Sequence, residues 1–113
     1  MTAFDWFIRI ADRLGQVQVQ VGSFEADRTI HQALGRGETP APYTTEEEAA
    51  RGLLPAGFEW LEATYAGAAV YVACRRSGMD GEFLHPHHGQ WGATLPLAMA
   101  RAVMRAHAKL VKE

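Results

Sequence analysis

The sequence has few of the features that assign a protein to a class at once. Its 113 residues contain a single cysteine, Cys74, so no intramolecular disulfide can form and nothing points to an oxidising compartment. No run of about 18 uncharged apolar residues is present, which excludes a transmembrane helix. Charged residues interrupt the first apolar stretch and argue against a secretory signal. We therefore expect a cytoplasmic protein that does not contact membranes.

Charge of either sign is also close to balanced, with a net charge of −2, but its distribution is uneven. Residues 1–65 carry ten acidic and five basic side chains, whereas residues 66–113 carry three acidic and six basic ones. This segregation predicts complementary contacts, either within the fold or between chains. Basic residues are not interleaved with aromatic ones, so nucleic acid is a secondary hypothesis for the partner. The "GRG" at 35–37 is too short to cradle a phosphate group.

With 48% hydrophobic and 21% charged residues, the composition predicts one globular domain covering 1–113. The spacing of apolar residues predicts a helix over 4–14, and Ser23 is a suitable cap for a second helix that ends at Gly35. Between them, "QVQVQV" alternates and predicts a half-buried strand over 16–21. Thr44 and Glu47 have the spacing of a capping box, which predicts a third helix.

From residue 58 the apolar period changes to two, which predicts a meander of strands over 58–86. Ala66 and Gly67 are suited to a tight hairpin turn. The strand after that turn is apolar on both faces, so we expect it to be central and Cys74 to be a small core residue rather than a nucleophile. The predicted fold is α+β, an antiparallel sheet of three to four strands flanked by helices in the order αβααβββα.

Three histidines lie close together in "HPHHGQW" at 85–91. Along an extended chain His85 and His87 point to the same side, and His88 could contribute a third imidazole to zinc or another transition metal. The competing interpretation is that Pro86 ends a strand and the histidines are solvated. His31, on the second predicted helix, is interpreted as an ordinary exposed or hydrogen-bonded histidine. No cofactor is expected if the cluster does not bind metal.

The last segment predicts a helix over 95–112, because Thr94 is a suitable cap and Pro96 falls in the first turn. Its basic residues occupy a sector of about 80° on the helical wheel, and apolar residues cover most of the rest. The sheet can cover one flank, so the other needs a neighbouring helix, a second subunit or a partner. His107 is expected to pack in the apolar sector. The residues predicted to bind a partner are Arg101, Val103, Met104, Arg105, Lys109 and Lys112.

Three stretches together resemble a known pattern: "DRTIHQALG" at 27–35, "PYTTEEEAARGLLPAGFEW" at 42–60 and "GATLPLAMARAVMRA" at 92–106. They are similar to small phage and prophage proteins of the phage ABA-sandwich domain type. Leu95 between Thr94 and Pro96, the inserted "HPHH" and the N-terminal helix with "QVQVQV" depart from that pattern. The resemblance implies a helix-flanked antiparallel sheet and a mobile-element origin, and hence a bacterial host cytoplasm. It implies no activity.

Two classes of function follow from these observations. The first is a small phage- or prophage-encoded accessory protein, not an enzyme, that binds host or phage machinery, such as an anti-CRISPR inhibitor of a bacterial defence system. The wide apolar arc of the last helix and the segregated charge favour this class, and they also favour a homodimer. The alternative is a metal-binding protein or metal-dependent enzyme that uses His85, His87 and His88.

Overall fold

The computed structural model describes residues 2–16, 21–36, 39–61, 63–76 and 89–112. It confirms the α+β class, with an open antiparallel sheet of four strands and helices beside it. The helices are α1 (Ala3–Leu14), α2 (Phe24–Ala33), α3 (Glu47–Arg51) and α4 (Leu95–Lys112). The strands are β1 (Phe58–Trp60), β2 (Thr64–Ala66), β3 (Ala69–Arg76) and β4 (Gly89–Gly92).

Two predicted strands lie mainly outside the described residues. The first is the strand predicted at 16–21, of which residues 17–20 are not described. The second is the meander strand predicted before residue 86. Elsewhere the order of elements follows the prediction, with the first meander strand divided into β1 and β2. The final strand, β4, begins at Gly89.

Strand β3 is the centre of the sheet, because each of the other described strands pairs with it. The hairpin predicted at Gly67 is confirmed: Ala66 pairs with Ala69, and Gly67 adopts the positive φ of 61° that a tight turn favours. One more residue lies between Trp60 and Thr64 than between Tyr71 and Cys74, the pairs on either side of the gap. The two pairings with β3 therefore differ in register by one residue, and the strand is divided at that point.

The final helix α4 is the core element of the fold, and its bounds match the predicted 95–112. One side of α4 packs on α1 and the opposite side packs on the sheet. The α1 side buries Leu97, Ala100, Val103, Met104 and Ala108 against Phe7, Ile10 and Leu14. The sheet side buries Ala98, Met99, Ala102 and Ala106 against Val70, Val72 and Cys74. Most of the wide apolar arc is therefore covered within the chain itself, and Val111 near its end is 50% exposed.

The sheet and α4 approach each other most closely at Gly92. A Cβ atom added to Gly92 would lie 2.5 Å from the backbone nitrogen of Ala98 and 2.9 Å from its Cα. Thr94 caps the same end of the helix, since its hydroxyl accepts from the backbone N–H of Leu97 at 3.3 Å. The start of α4 is thus pressed directly onto β4, and a side chain at residue 92 has no room.

The helix caps follow the prediction at Ser23 but not at Thr44. Ser23 Oγ accepts from the backbone N–H of Ala26 at 3.1 Å, as expected for an N-cap. The capping box predicted at Thr44 and Glu47 is wrong, because α3 starts after Glu46 and has no side-chain cap. The Thr44 hydroxyl donates instead to the carboxylate of Asp27, 2.7 Å away on α2. This long-range bond takes the place of the local one.

None of the described helices combines the length and the apolar character that a membrane span requires.

Candidate functional site

The residues of the predicted metal site, His85, His87 and His88, lie outside the described residues. Within the described part of the chain, no three or more His, Cys, Asp or Glu side chains are grouped so that they could hold a metal ion. Zinc binding by the histidines stays a prediction.

The apolar half of the predicted partner-binding set is in the wrong place for a contact surface. Val103 and Met104 are both 0% exposed, and they pack against α1. The wide apolar arc of α4 predicted that the helix is buried on more than one side, and α4 does pack against both α1 and the sheet. Of the three sources of cover that the sequence allowed, the structure shows the neighbouring helix, α1. Val103 and Met104 are therefore not exposed for a partner, and partner binding by the rest of the set stays a prediction.

The basic half of that set lies along one flank of α4, and two of its members bind α1. Arg101 Nε donates to the carbonyl of Ala11 at 2.7 Å, in the last turn of α1. Arg105 Nη2 donates to Asp12 Oδ1 at 3.2 Å. A cation beside the last carbonyls of a helix is favourable, because that end carries a partial negative charge. Part of the charge segregation along the chain is therefore satisfied within the fold.

Arg101 also contacts the sheet, because its Nη1 donates to the carbonyl of Trp91 on β4. Burial lowers the pKa of the Arg101 guanidinium, and nearby Arg105 lowers it further, while Asp12 opposes this shift. The guanidinium fits because Gly15 has no side chain: a Cβ there would lie 2.1 Å from Arg101 Cζ. Arg101 is a structural tie between α1 and β4. Lys109 is half-buried, and the side chain of Lys112 lies outside the described residues.

A buried polar cluster joins α2 to the segment before α3. Asp27 and Thr44 are 5% and 0% exposed, and Asp27 Oδ1 accepts from both the backbone N–H and the hydroxyl of Thr44. Nearby, His31 Nδ1 and the hydroxyl of Tyr43 are 2.8 Å apart and their rings are stacked. His31 was predicted to be exposed or hydrogen-bonded; it is 8% exposed, so the hydrogen-bonded alternative is the one observed. These bonds join α2 to the residues before α3, so we assign the cluster to holding the fold together.

The single cysteine has the core position that the sequence predicts. Cys74 is 1% exposed, and its Sγ lies 3.9 Å from the carbonyl oxygen of Ala102. Burial raises the pKa of the thiol to about 12. The thiolate is the reactive form, so at neutral pH this side chain is an inert core residue.

His107 packs inside the fold, as predicted from its place in the apolar sector of α4. Its Nε2 lies 3.1 Å from the carbonyl oxygen of Leu53, to which the neutral ring can donate. The ring stacks on Phe7, with 5.6 Å between the ring centroids. Burial lowers the pKa of His107, and Arg36 adds to this effect, while the hydrogen bond to Leu53 opposes it.

We expect His107 to make the protein less stable in mild acid. Because the folded state holds the His107 proton less tightly than the unfolded chain does, the unfolded state takes up more protons once the pH falls below about 6.5, the ordinary value. Stability therefore decreases as the pH falls through that value. Urea unfolding at pH 8 and pH 5 should show a smaller loss for His107→Gln than for the unchanged protein. Equal losses would contradict this role.

Of the predicted set, Val103 and Met104 lie in the core, and Arg101 and Arg105 tie α4 to α1. Two surface regions that contain exposed tryptophans are the remaining candidates. The first is a line of three residues across the sheet, Thr64, Tyr71 and Trp91, which are paired through β3 and which we call the aromatic row. Trp91 is 45% exposed, and its ring centroid is 5.2 Å from that of Tyr71. These side chains lie on the opposite face of the sheet from Val70 and Val72, which contact α4.

The second region is a groove of about 240 Å³ between α1 and α2, which we call the α1–α2 groove. Trp6, 39% exposed, lines it together with the buried Ile10 and Leu14. Arg9 and Arg13 also line it from α1. Both the groove and the aromatic row are formed by residues that come together only in the folded chain, so they were not predicted from the sequence. In the sequence Trp91 stood out only as a neighbour of the histidines, and Trp6 had no assigned face.

No family model, no curated protein and no solved structure matches the chain.

Proposed function

We propose that this chain is a non-enzymatic binding protein, and that the aromatic row of the sheet is its main contact with a partner protein. The observation that carries the proposal is the exposed Trp91, whose ring makes a tilted contact with that of Tyr71 on the face of the sheet turned away from α4. Trp and Tyr are enriched among the residues that dominate binding energy at protein interfaces. Here the two form a preformed anchor on a rigid element.

The surroundings of the row support a protein partner. Thr64 continues the row on β2, and the small residues Ala66 and Ala69 form the next pair along the same face. At the other end of β3 an ion pair, Arg75 Nε to Glu59 Oε1 at 2.6 Å, provides a polar border. A flat apolar centre with a polar edge is the usual composition of a protein–protein contact.

The finer proposal concerns the biological role. We propose a phage- or prophage-encoded accessory protein of the bacterial cytoplasm that binds host or phage machinery, with an anti-CRISPR inhibitor of a defence system as its most specific form. Its support is the resemblance of residues 27–35, 42–60 and 92–106 to small phage proteins. The aromatic row supplies the surface such an inhibitor needs, and it replaces the α4 stripe that the sequence had indicated.

The test is a matched pair of substitutions. Trp91→Arg should abolish the capture of partner proteins from bacterial cells, whereas Val111→Arg should not, because Val111 is similarly exposed, 50%, but lies at the far end of α4. Loss of a Trp anchor corresponds to about 2 kcal/mol or more, roughly 30-fold in affinity. Circular dichroism checks that both variants stay folded. Identical captured sets would contradict the proposal.

Two further measurements test the anti-CRISPR role and the possibility of a homodimer. In a strain whose CRISPR system blocks a phage, the chain should restore plaque formation, and Trp91→Arg should not. The mass in solution, measured across concentrations, tests for a homodimer. A dimer that dissociates with Trp91→Arg would identify a second copy, rather than another protein, as the occupant of the row, and would contradict the partner proposal.

A further inference from the structure

We infer that the α1–α2 groove is a second binding site, which takes an acidic segment of a partner protein that inserts one large apolar side chain. This site does not depend on the proposed role of the aromatic row. α1 and the sheet pack on opposite sides of α4, so one surface can be removed while the other is kept.

The floor and wall of the groove fit an apolar anchor. Ile10 and Leu14 are 6% and 5% exposed and lie at its base, with Ala26 of α2 opposite. Trp6 stands beside them and is 39% exposed, so its ring can still be covered. The volume of about 240 Å³ is below the ~300–1,000 Å³ of pockets for drug-sized ligands. Its size suits a single large side chain of a peptide.

The rim of the groove supplies the charge that selects the partner. Arg9 and Arg13 are exposed and lie one helical turn apart. Neither forms an ion pair with a residue in the described part of the chain. The acidic residues of α1 have other partners: Asp12 accepts from Arg105, and Asp5 accepts from Thr2, which together with the weaker electrostatic effect of Arg9 lowers its pKa. Two cations beside an apolar floor are complementary to carboxylates that flank an apolar side chain.

The same geometry disfavours a nucleic acid as the occupant. Nucleic-acid sites follow a continuous backbone with a longer track of basic residues. In this groove Glu25 lies on the α2 side, opposite the two arginines, and the base is aliphatic. A helical or extended peptide laid along the groove meets positive charge on one side only.

The probe for the experiment is a display library of random 12-residue peptides, selected on the folded full chain, with affinities then measured by fluorescence anisotropy. The selected peptides should carry a Leu, Phe or Trp with Asp or Glu within four positions. Trp6→Ala should weaken binding about 30-fold. Arg9→Gln and Arg13→Gln should each weaken it about 3- to 5-fold. Raising the salt concentration should reduce these two arginine effects.

Two control variants test whether the peptides bind in this groove. Arg28→Gln removes an exposed arginine of α2 that does not line the groove, and it should leave the affinity unchanged. Trp91→Arg should also leave it unchanged, so failure of the aromatic row and failure of the groove give different results. The inference is overturned if no peptides are enriched, if the enriched peptides lack acidic residues, if Arg9→Gln and Arg13→Gln bind normally, or if single-stranded DNA displaces the peptides.

Discussion

Val103→Glu should unfold the protein. The substitution places a carboxylate where Val103 is 0% exposed, between α4 and α1. A buried charge without a partner costs several kcal/mol, a large part of the roughly 5–15 kcal/mol that a domain of this size has available. We expect a loss of at least about 4 kcal/mol in the free energy of unfolding.

The matched control is Val111→Glu, which makes the same change on the same helix at a position that is 50% exposed. It should alter the free energy of unfolding by no more than about 0.5 kcal/mol. Thermal unfolding followed by circular dichroism compares the two variants directly. If Val103→Glu kept the thermal midpoint of the unchanged protein, α4 would be exposed in solution, and the partner stripe indicated by the sequence would regain its basis.

Gly92→Ala should also destabilise the protein strongly, because the added methyl group would clash with the backbone of α4. The added methyl would lie 2.5 Å from the nitrogen and 2.9 Å from the Cα of Ala98, which belong to the first turn of α4. A flexible side chain could turn away, but these backbone atoms can move only if the strand and the helix separate. Overpacking of this kind costs about 1–3 kcal/mol, and we expect the upper end of that range.

Gly52→Ala is the control for this prediction, because a Cβ at Gly52 would lie 3.5 Å from its nearest neighbour, an ordinary contact. Gly52 also has a negative φ of −70°, which alanine adopts without strain. Both changes restrict the unfolded chain equally, and this alone stabilises by about 0.4–1 kcal/mol. In urea unfolding, Gly92→Ala should be about 2–3 kcal/mol less stable than Gly52→Ala. Similar stabilities would show that β4 and α4 are not in close contact.

The sequence predicted the elements whose signals are local. Thr94 and Pro96 mark the start of α4, and Gly67 marks the hairpin turn, because capping and turn formation depend on a few adjacent residues. Thr44 shows the limit of this reasoning. Its spacing to Glu47 satisfies a local rule, yet its hydroxyl donates to Asp27, 17 positions away. A pattern of adjacent residues cannot show that a residue 17 positions away competes for the same hydroxyl group.

The candidate surfaces were less predictable for the same physical reason. The apolar width of α4 shows that the helix needs cover, but it does not say whether α1, a second subunit or another protein provides it. The short strand β4 has glycine at both ends and too few residues to show alternation, so Trp91 could not be assigned to a face. The α1–α2 groove exists only after two helices have packed. These features depend on distant contacts rather than on spacing.

The tie made by Arg101 has a consequence for how the chain reaches its native state. Arg101 and Ala11 are 90 positions apart, so α1 lacks its main packing partner, α4, until the residues between them have been synthesised. Bringing α1 and α4 together closes a long loop, and the entropy of that loop is lost before the contacts between the helices form. This order slows folding. During that interval Phe7, Ile10 and Leu14 lack the cover that α4 provides in the folded chain, and incompletely buried apolar surface of this kind favours aggregation and chaperone binding.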